Sequence, residues 1–184
     1  MKVRHLMDIV ALNAQNRKDI NRANQPFTVI GKLKPSLCDG KWSCTEELFP
    51  VPRTKSYADE EDCFYDSCIG SKDRRAYLAY EEGQCVGQVV LHKDWNGYAL
   101  IEDICVAQDY RGRGIGSALI ERAVEWARSK GLQGLALETQ DNNLLACRFY
   151  MKLGFCIGGV NTLFYRNFRQ PYRDEIAIYW YLLF

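Results

Sequence analysis

The chain has 184 residues, 47% of them hydrophobic, and its 24 basic and 23 acidic side chains leave a formal net charge of +1. That length and apolar content fit a single domain with a sizeable core. The near-neutral balance excludes a protein whose main work is wrapping duplex nucleic acid or coating an anionic membrane, so any charge-driven recognition must be local.

Residues 1–25 mix charged and apolar positions and are read as a short helix. They lack the continuous apolar segment and small-residue cleavage site of an export signal. From 26 to 51, the runs 27–30 and 42–49, separated by Pro35 and Asp39-Gly40, read as two strands and a turn. The acidic stretch 57–66 is a loop or a short helix. Strands at 75–80 and 84–91 are joined by Glu82-Gly83, a hairpin signal, and a further strand covers 98–106. Beyond it, Ile115, Ala118, Leu119, Ala123, Trp126 and Ala127 recur on one helical face, with Gly131 as the stop. A strand at 135–139, a helix at 142–153 closed by Gly154, a strand at 155–160 and the apolar run 176–184 complete the chain. That last run is far shorter than the roughly 20 residues a membrane helix needs and reads as a buried strand. Strands clustered first and alternating with helices later imply an α/β or α+β sandwich around a mixed sheet.

The eight cysteines form no C-x-x-C pair and only His5 and His92 are available beside them, so no metal site is expected. Cys85, Cys105, Cys147 and Cys156 lie in apolar patterns where a free thiol behaves as a small core residue, which argues for reduced thiols and a cytoplasmic protein.

A strand feeding Arg111-Gly-Arg-Gly-Ile-Gly116 and then a helix leaves backbone N–H groups pointing out of the helix start, an anion site suited to a pyrophosphate. Gly112, Gly114 and Gly116 let the backbone approach a ligand, and Arg113 and Arg111 can add charge-assisted bonds. The spacing is neither G-x-x-x-x-G-K-[ST] nor G-x-G-x-x-G, so both common nucleotide-binding loops are disfavoured.

The pattern Arg111-x-x-Gly114-x-Gly116 after a strand ending at Val106 resembles the acyl-CoA signature of the GNAT N-acetyltransferases. Asn143-Leu-Leu-Ala-Cys-Arg-Phe-Tyr-Met-Lys-Leu-Gly-Phe155 resembles the second motif of that family, N-x-x-A-x-x-F-Y-x-x-x-G-F. Tyr57-Ala-Asp-Glu-Glu-Asp62, Ile101-Glu-Asp-Ile104, Leu137-Glu-Thr-Gln-Asp-Asn-Asn143 and Tyr179-Trp-Tyr-Leu182 resemble segments of the streptothricin acetyltransferases within it, a similarity that spans about residues 26–184. The resemblance implies one GNAT domain spanning 1–184, with the CoA-binding core at about 75–160. Its central sheet would be mixed and mostly antiparallel, flanked by helices on both faces, with splayed central strands. It also implies acetyl-CoA as cosubstrate, no metal, and a small cationic amine as acceptor, with the β-lysine portion of streptothricin as the specific expectation. A homodimer stays open. On the same grounds the cofactor-binding residues are Val106, Arg111, Gly112, Arg113, Gly114, Ile115, Gly116, Ser117 and Asn143, and Tyr150 is the general acid that protonates the departing thiolate.

An alkylammonium must lose a proton before it can attack, so a base is required. Glu102 and Asp103 interrupt an otherwise apolar strand. Strict alternation puts them on opposite faces, Asp103 with Ile101 and Cys105, unless a bulge intervenes. Glu102 is the expected base, with Asp103 or Glu138 holding the cationic substrate. Ordinary ion pairing of these carboxylates is the structural alternative. The run Asp59-Glu-Glu-Asp62 reads as a solvated loop or as an attractor for a polycation. Other readings left open are a polyamine, other small-amine or protein N-acetyltransferase, and a CoA-binding module without turnover.

Overall fold

In the computed structural model, residues 7–184 are described, and the chain divides into two compact units. Among the described residues, the first comprises 7–26 and 56–135, the second 27–55 and 136–184.

In the first unit, β1 (Met7–Ala11), β4 (Arg74–Glu81), β5 (Gln84–Lys93) and β6 (Ala99–Val106) are neighbours in that order, each pair antiparallel. The hairpin between β4 and β5 turns on Glu82 (φ 49°) and Gly83 (φ 77°), the two left-handed residues that a tight hairpin matched to strand twist requires. Part of the expected N-terminal helix lies outside the described residues. Where it is described, β1 pairs with β4 and only a 3-10 turn follows, at Arg17–Asp19. Ladder bonds along β4 supply more pairing than an isolated short helix can offer its own backbone.

The two faces of this half-sheet are covered differently. The short helix α1 (Asp62–Asp66) brings Tyr65, followed by Cys68, against Leu12, Ala76, Leu78 and Val90. The long helix α2 (Ile115–Ser129) buries Ile115, Leu119, Ile120, Ala123, Trp126 and Ala127. Gly87 on β5 is what lets α2 lie close. A Cβ there would stand 3.1 Å from both Ile115 Cγ2 and Leu119 Cδ1.

The second unit contains a long ribbon, β2 (Phe27–Cys38) against β3 (Lys41–Lys55), closed by Asp39 and Gly40, both at positive φ. Its other strands, β7 (Gly134–Gln140), β9 (Ala177–Leu183) and β8 (Cys156–Asn161), are neighbours in that order. Helix α3 (Leu144–Lys152) packs against β2 and buries Leu144, Cys147 and Tyr150. Trp180 on β9 is 1% exposed and donates its indole N–H to Thr139 Oγ1 at 2.9 Å.

All eight cysteines are free thiols. Cys85 and Cys147 are core residues as their patterns imply, but Cys156 is exposed. Along β8 it is the next residue, Ile157, that is buried, so strand alternation turns Cys156 outward. Among the described residues no helix is long and apolar enough to cross a membrane.

Candidate active site

The glycine turn sits in the first unit and opens α2. Gly112 (φ 76°) and Gly114 (φ 93°) take the left-handed conformation, and Gly114 is the N-cap with no side chain capping the helix. The first helical bond runs from Ala118 N–H to Gly114 O, which leaves the N–H groups of Ile115, Gly116 and Ser117 without intrahelical acceptors. An added Cβ at Gly112 or Gly114 would meet nothing within 4 Å, so the turn fronts open space. This is a cradle that fits a phosphate.

The two arginines of the turn behave differently. Arg111 folds back, donating from Nε to Val106 O at 2.8 Å and from its terminal nitrogens to Pro26 O and Gln25 O at 3.3 Å. Its guanidinium is spent on main-chain carbonyls and fixes the end of β6. Arg113 stays half-exposed above the Tyr110 ring, 3.9 Å from Glu81, and is the side chain able to reach an anion.

On β6, pairing with β5 runs Val90–Asp103 and then Leu91–Ile101, so Glu102 is the extra residue of a β-bulge. Strict alternation therefore fails here. Ile101 and Asp103 fall on opposite faces, because their partners Leu91 and Val90 do. Both carboxylates reach the face away from α2. Glu102 is exposed there, bound by Arg74 Nη2 and 3.2 Å from His92 Nδ1. Asp103, partly buried, accepts a 2.6 Å bond from Gln88 Nε2.

Burial pushes the Asp103 carboxyl up to about 6. The Gln88 bond opposes that rise, and the nearby charges of Glu60 and Asp59 add to it. Glu102, the expected base, is thus paired with Arg74, while Asp103, the expected substrate contact, is the carboxyl that burial brings toward neutral pH.

The acidic stretch is split by its partners. Asp62 and Asp66 are bound by Arg17 at 2.7 and 2.6 Å, and Asp59 accepts from Asn24 Nδ2 at 2.7 Å. Of the carboxylates in the stretch, Glu60 and Asp59 raise Asp103. Cys105 is raised well above the ordinary thiol range, by burial first and Asp103 second, which makes it a poor nucleophile.

The second unit carries the remaining expected residues. Tyr150 is 5% exposed, its ring edge-on to Phe149 and Phe155. Asn143 is the N-cap of α3, its side chain accepting from Ala146 N–H at 3.4 Å. Glu138 is partly buried. Tyr165 OH lies 2.9 Å from both its oxygens and accepts in turn from Gln140 Nε2 at 2.7 Å. Burial lifts Glu138 to about 7, against the Tyr165 bond and the Lys55 charge.

Two clusters escaped the sequence reading. Lys55 and Glu175 form a buried two-pronged pair at 2.8 and 2.7 Å, with Asn142 Nδ2 completing the carboxylate at 2.8 Å. Gln88, fully buried, joins Asn21 and Tyr65. A lone glutamine in the apolar run of β5 was the available signal for the second. Nothing local marked the first, whose partners are 120 residues apart.

The sequence profile of the Acetyltransferase (GNAT) family matches residues 36–155. The chain is 46% identical to streptothricin acetyltransferase A of Bacillus subtilis (strain 168), over 96% of its own length and 99% of that protein. The chain belongs to the GNAT acetyltransferase family.

It is also 38% identical to a streptothricin acetyltransferase of Escherichia coli, over 71% of this chain and 70% of the other. A crystal structure of a streptothricin acetyltransferase candidate from Bacillus anthracis str. Ames, in complex with acetyl coenzyme A, superposes with a TM-score of 0.90 at 38% identity. It covers 97% of this chain and 100% of that one. Nourseothricin acetyltransferase gives a TM-score of 0.80 at 27% identity, covering 96% and 98%. This GNAT N-acetyltransferase has the mixed sheet flanked by helices that its motifs imply.

Proposed function

We propose that this GNAT enzyme transfers acetyl from acetyl-CoA to a primary amine of a streptothricin-class antibiotic, on its β-lysine portion. The observation that carries the reading is the partly buried Asp103, set near neutrality beside Asp59 and Glu60, in the unit that also carries a turn whose amide groups fit a diphosphate. The relatives named above support the choice of antibiotic, and the B. anthracis complex supports acetyl-CoA.

Acetyl-CoA supplies the activated acyl group, and the residues of the chain handle its charges. The N–H groups of residues 112–117, with Arg113, receive the diphosphate; Arg111 braces Val106. The Val106 N–H meets the negative charge that develops on the carbonyl oxygen during attack. Asn143, at the start of α3, contacts the pantetheine arm. Asp103 takes one proton from the substrate ammonium; the nitrogen then bonds to the acyl carbon as the carbon–sulfur bond breaks, Tyr150 gives its proton to the leaving sulfur, and the second proton shed by the acylated nitrogen restores the Tyr150 hydroxyl. Asp59 and Glu60 favour a cationic acceptor, and Glu138 binds a further ammonium.

The direct test is thiol release from acetyl-CoA with streptothricin, spermidine, aminoglycosides and an N-terminal peptide, followed by mass spectrometry of the product. Acetylation of the β-lysine amine of streptothricin at the highest kcat/KM is expected. A higher kcat/KM on spermidine or the peptide would replace the substrate assignment.

A further inference from the structure

Gln88 occupies the middle of an apolar strand with no solvent access, and its carbonyl oxygen and both its N–H groups are hydrogen-bonded. The backbone N–H of Asn21 donates to its Oε1 at 2.7 Å. A main-chain amide can only donate, so that atom must be the oxygen, and Nε2 is forced to the other side. From there Nε2 donates to Asp103 Oδ2 at 2.6 Å and to Asn21 Oδ1 at 3.2 Å. Asn21 Oδ1 accepts in addition from Tyr65 OH at 2.7 Å. Each partner fixes the orientation of the next. The chain of bonds runs from Tyr65 through Asn21 and Gln88 and terminates on Asp103 as an acceptor. Asn21 holds φ 67°, a left-handed conformation that asparagine tolerates better than most residues and that points its N–H and side chain together at Gln88.

We propose that Gln88, Asn21 and Tyr65 are positioning residues of the acetyl transfer: a fully oriented hydrogen-bond chain that grips Oδ2 of Asp103 and presents Oδ1 to the acceptor amine. Oδ1 accepts no hydrogen bond from another described residue. The arrangement rests on the reading of Asp103 as the base and adds to it what holds that base in place. The chain also sets the proton affinity of Asp103. The titratable groups around it are Asp59 and Glu60 from the loop before α1, Tyr65 from α1, and Glu102 and Cys105 on its own strand, Glu102 being held by Arg74. Burial, Glu60 and Asp59 favour the neutral acid, and Gln88 Nε2–H is the contact favouring the carboxylate. A carboxylate pinned through one oxygen keeps its other lone pairs aimed at a fixed point, which proton transfer at hydrogen-bond distance requires.

The test compares the full-length wild type with Gln88→Leu, Tyr65→Phe and Asp103→Asn. For each, kcat/KM for the amine is measured against pH, and the Asp103 carboxyl is titrated by carbon-13 NMR without substrate. Removing the Gln88 donor should raise both midpoints by about 0.5–1 unit while the KM for acetyl-CoA stays put. Tyr65→Phe, which keeps the ring in the core, should move them less in the same direction. Unmoved midpoints in a folded Gln88→Leu protein overturn the inference. Should that variant not fold, an unmoved Tyr65→Phe does so. If the acid limb of the rate profile survives in Asp103→Asn, the base assignment falls instead, and the NMR titration still decides whether the chain sets the state of Asp103.

Discussion

Glu102 and Asp103 are adjacent in sequence and share one face of β6, yet Arg74 binds the first while burial lifts the second to about 6. Composition could nominate both carboxylates but not rank them, because the ranking depends on residues distant in sequence: Arg74 is 28 positions from Glu102 and Gln88 is 15 from Asp103, with Asp59 and Glu60 farther still. Tyr150 was legible differently, through a motif whose every named position is present. In the structure its ring packs on Phe149 and Phe155, so removing the hydroxyl should leave packing intact. Tyr150→Phe is expected to lower kcat by about 100-fold with acetyl-CoA binding retained, measured by steady-state kinetics beside calorimetric titration of the coenzyme. Full turnover in that variant would remove the tyrosine from the chemistry. Arg111 carries the opposite lesson. It matches the family signature, but its guanidinium bonds three carbonyl oxygens of its own unit, so the position is spent on fixing β6.

At the level of elements, helix α2 was readable from its apolar spacing and its stop at Gly131, and the hairpin of β4 and β5 from Glu82-Gly83. Both are local: turn conformation and side-chain periodicity suffice to specify them. The bulge at Glu102 was not readable, because it is a mismatch of register between two strands and exists only once β5 lies beside β6. The strand β1 was missed for the same reason. Gly114 links element to function. Its φ of 93° costs an L-residue about 1–2 kcal/mol even though no atom crowds the space. Gly114→Ala should therefore lose about that much stability in denaturant titration. It should also raise the KM for acetyl-CoA on the order of tenfold, since the amide cradle is reshaped. Unchanged KM with reduced stability would separate the turn from coenzyme binding.

Across the molecule as a whole, Asp103 and Glu138 are the two carboxyls among the described residues that burial raises furthest, from ordinary values of 3.8 and 4.5 to about 6 and about 7. A carboxyl raised in the folded state favours folding while protonated. The contribution is present in full below the ordinary value and is lost as pH climbs through the raised one. The protein should accordingly lose stability between about pH 4 and pH 7 through these two sites. Asp103→Asn and Glu138→Gln, which keep the acceptor oxygen for Gln88 and Tyr165, should each melt on the order of 4 °C higher than wild type at pH 8. The advantage should vanish near pH 4 in scanning calorimetry. A constant offset at both pH values would mean that the gain is unrelated to charge.

The sequence by itself determined the family, the glycine turn with its following helix, and the alternation of strands and helices, and it nominated the candidate carboxylates. Each of these is written in near-neighbour spacing and in the conformational limits of single residues. Only the tertiary structure decided that Arg74 binds Glu102 while burial raises Asp103, that the Arg111 guanidinium braces main-chain carbonyls, and that Tyr65, Asn21 and Gln88 form a hydrogen-bond chain ending on Asp103. Proton affinity depends on desolvation and on charges brought from distant positions. Those are properties of a packed arrangement that no run of consecutive residues contains.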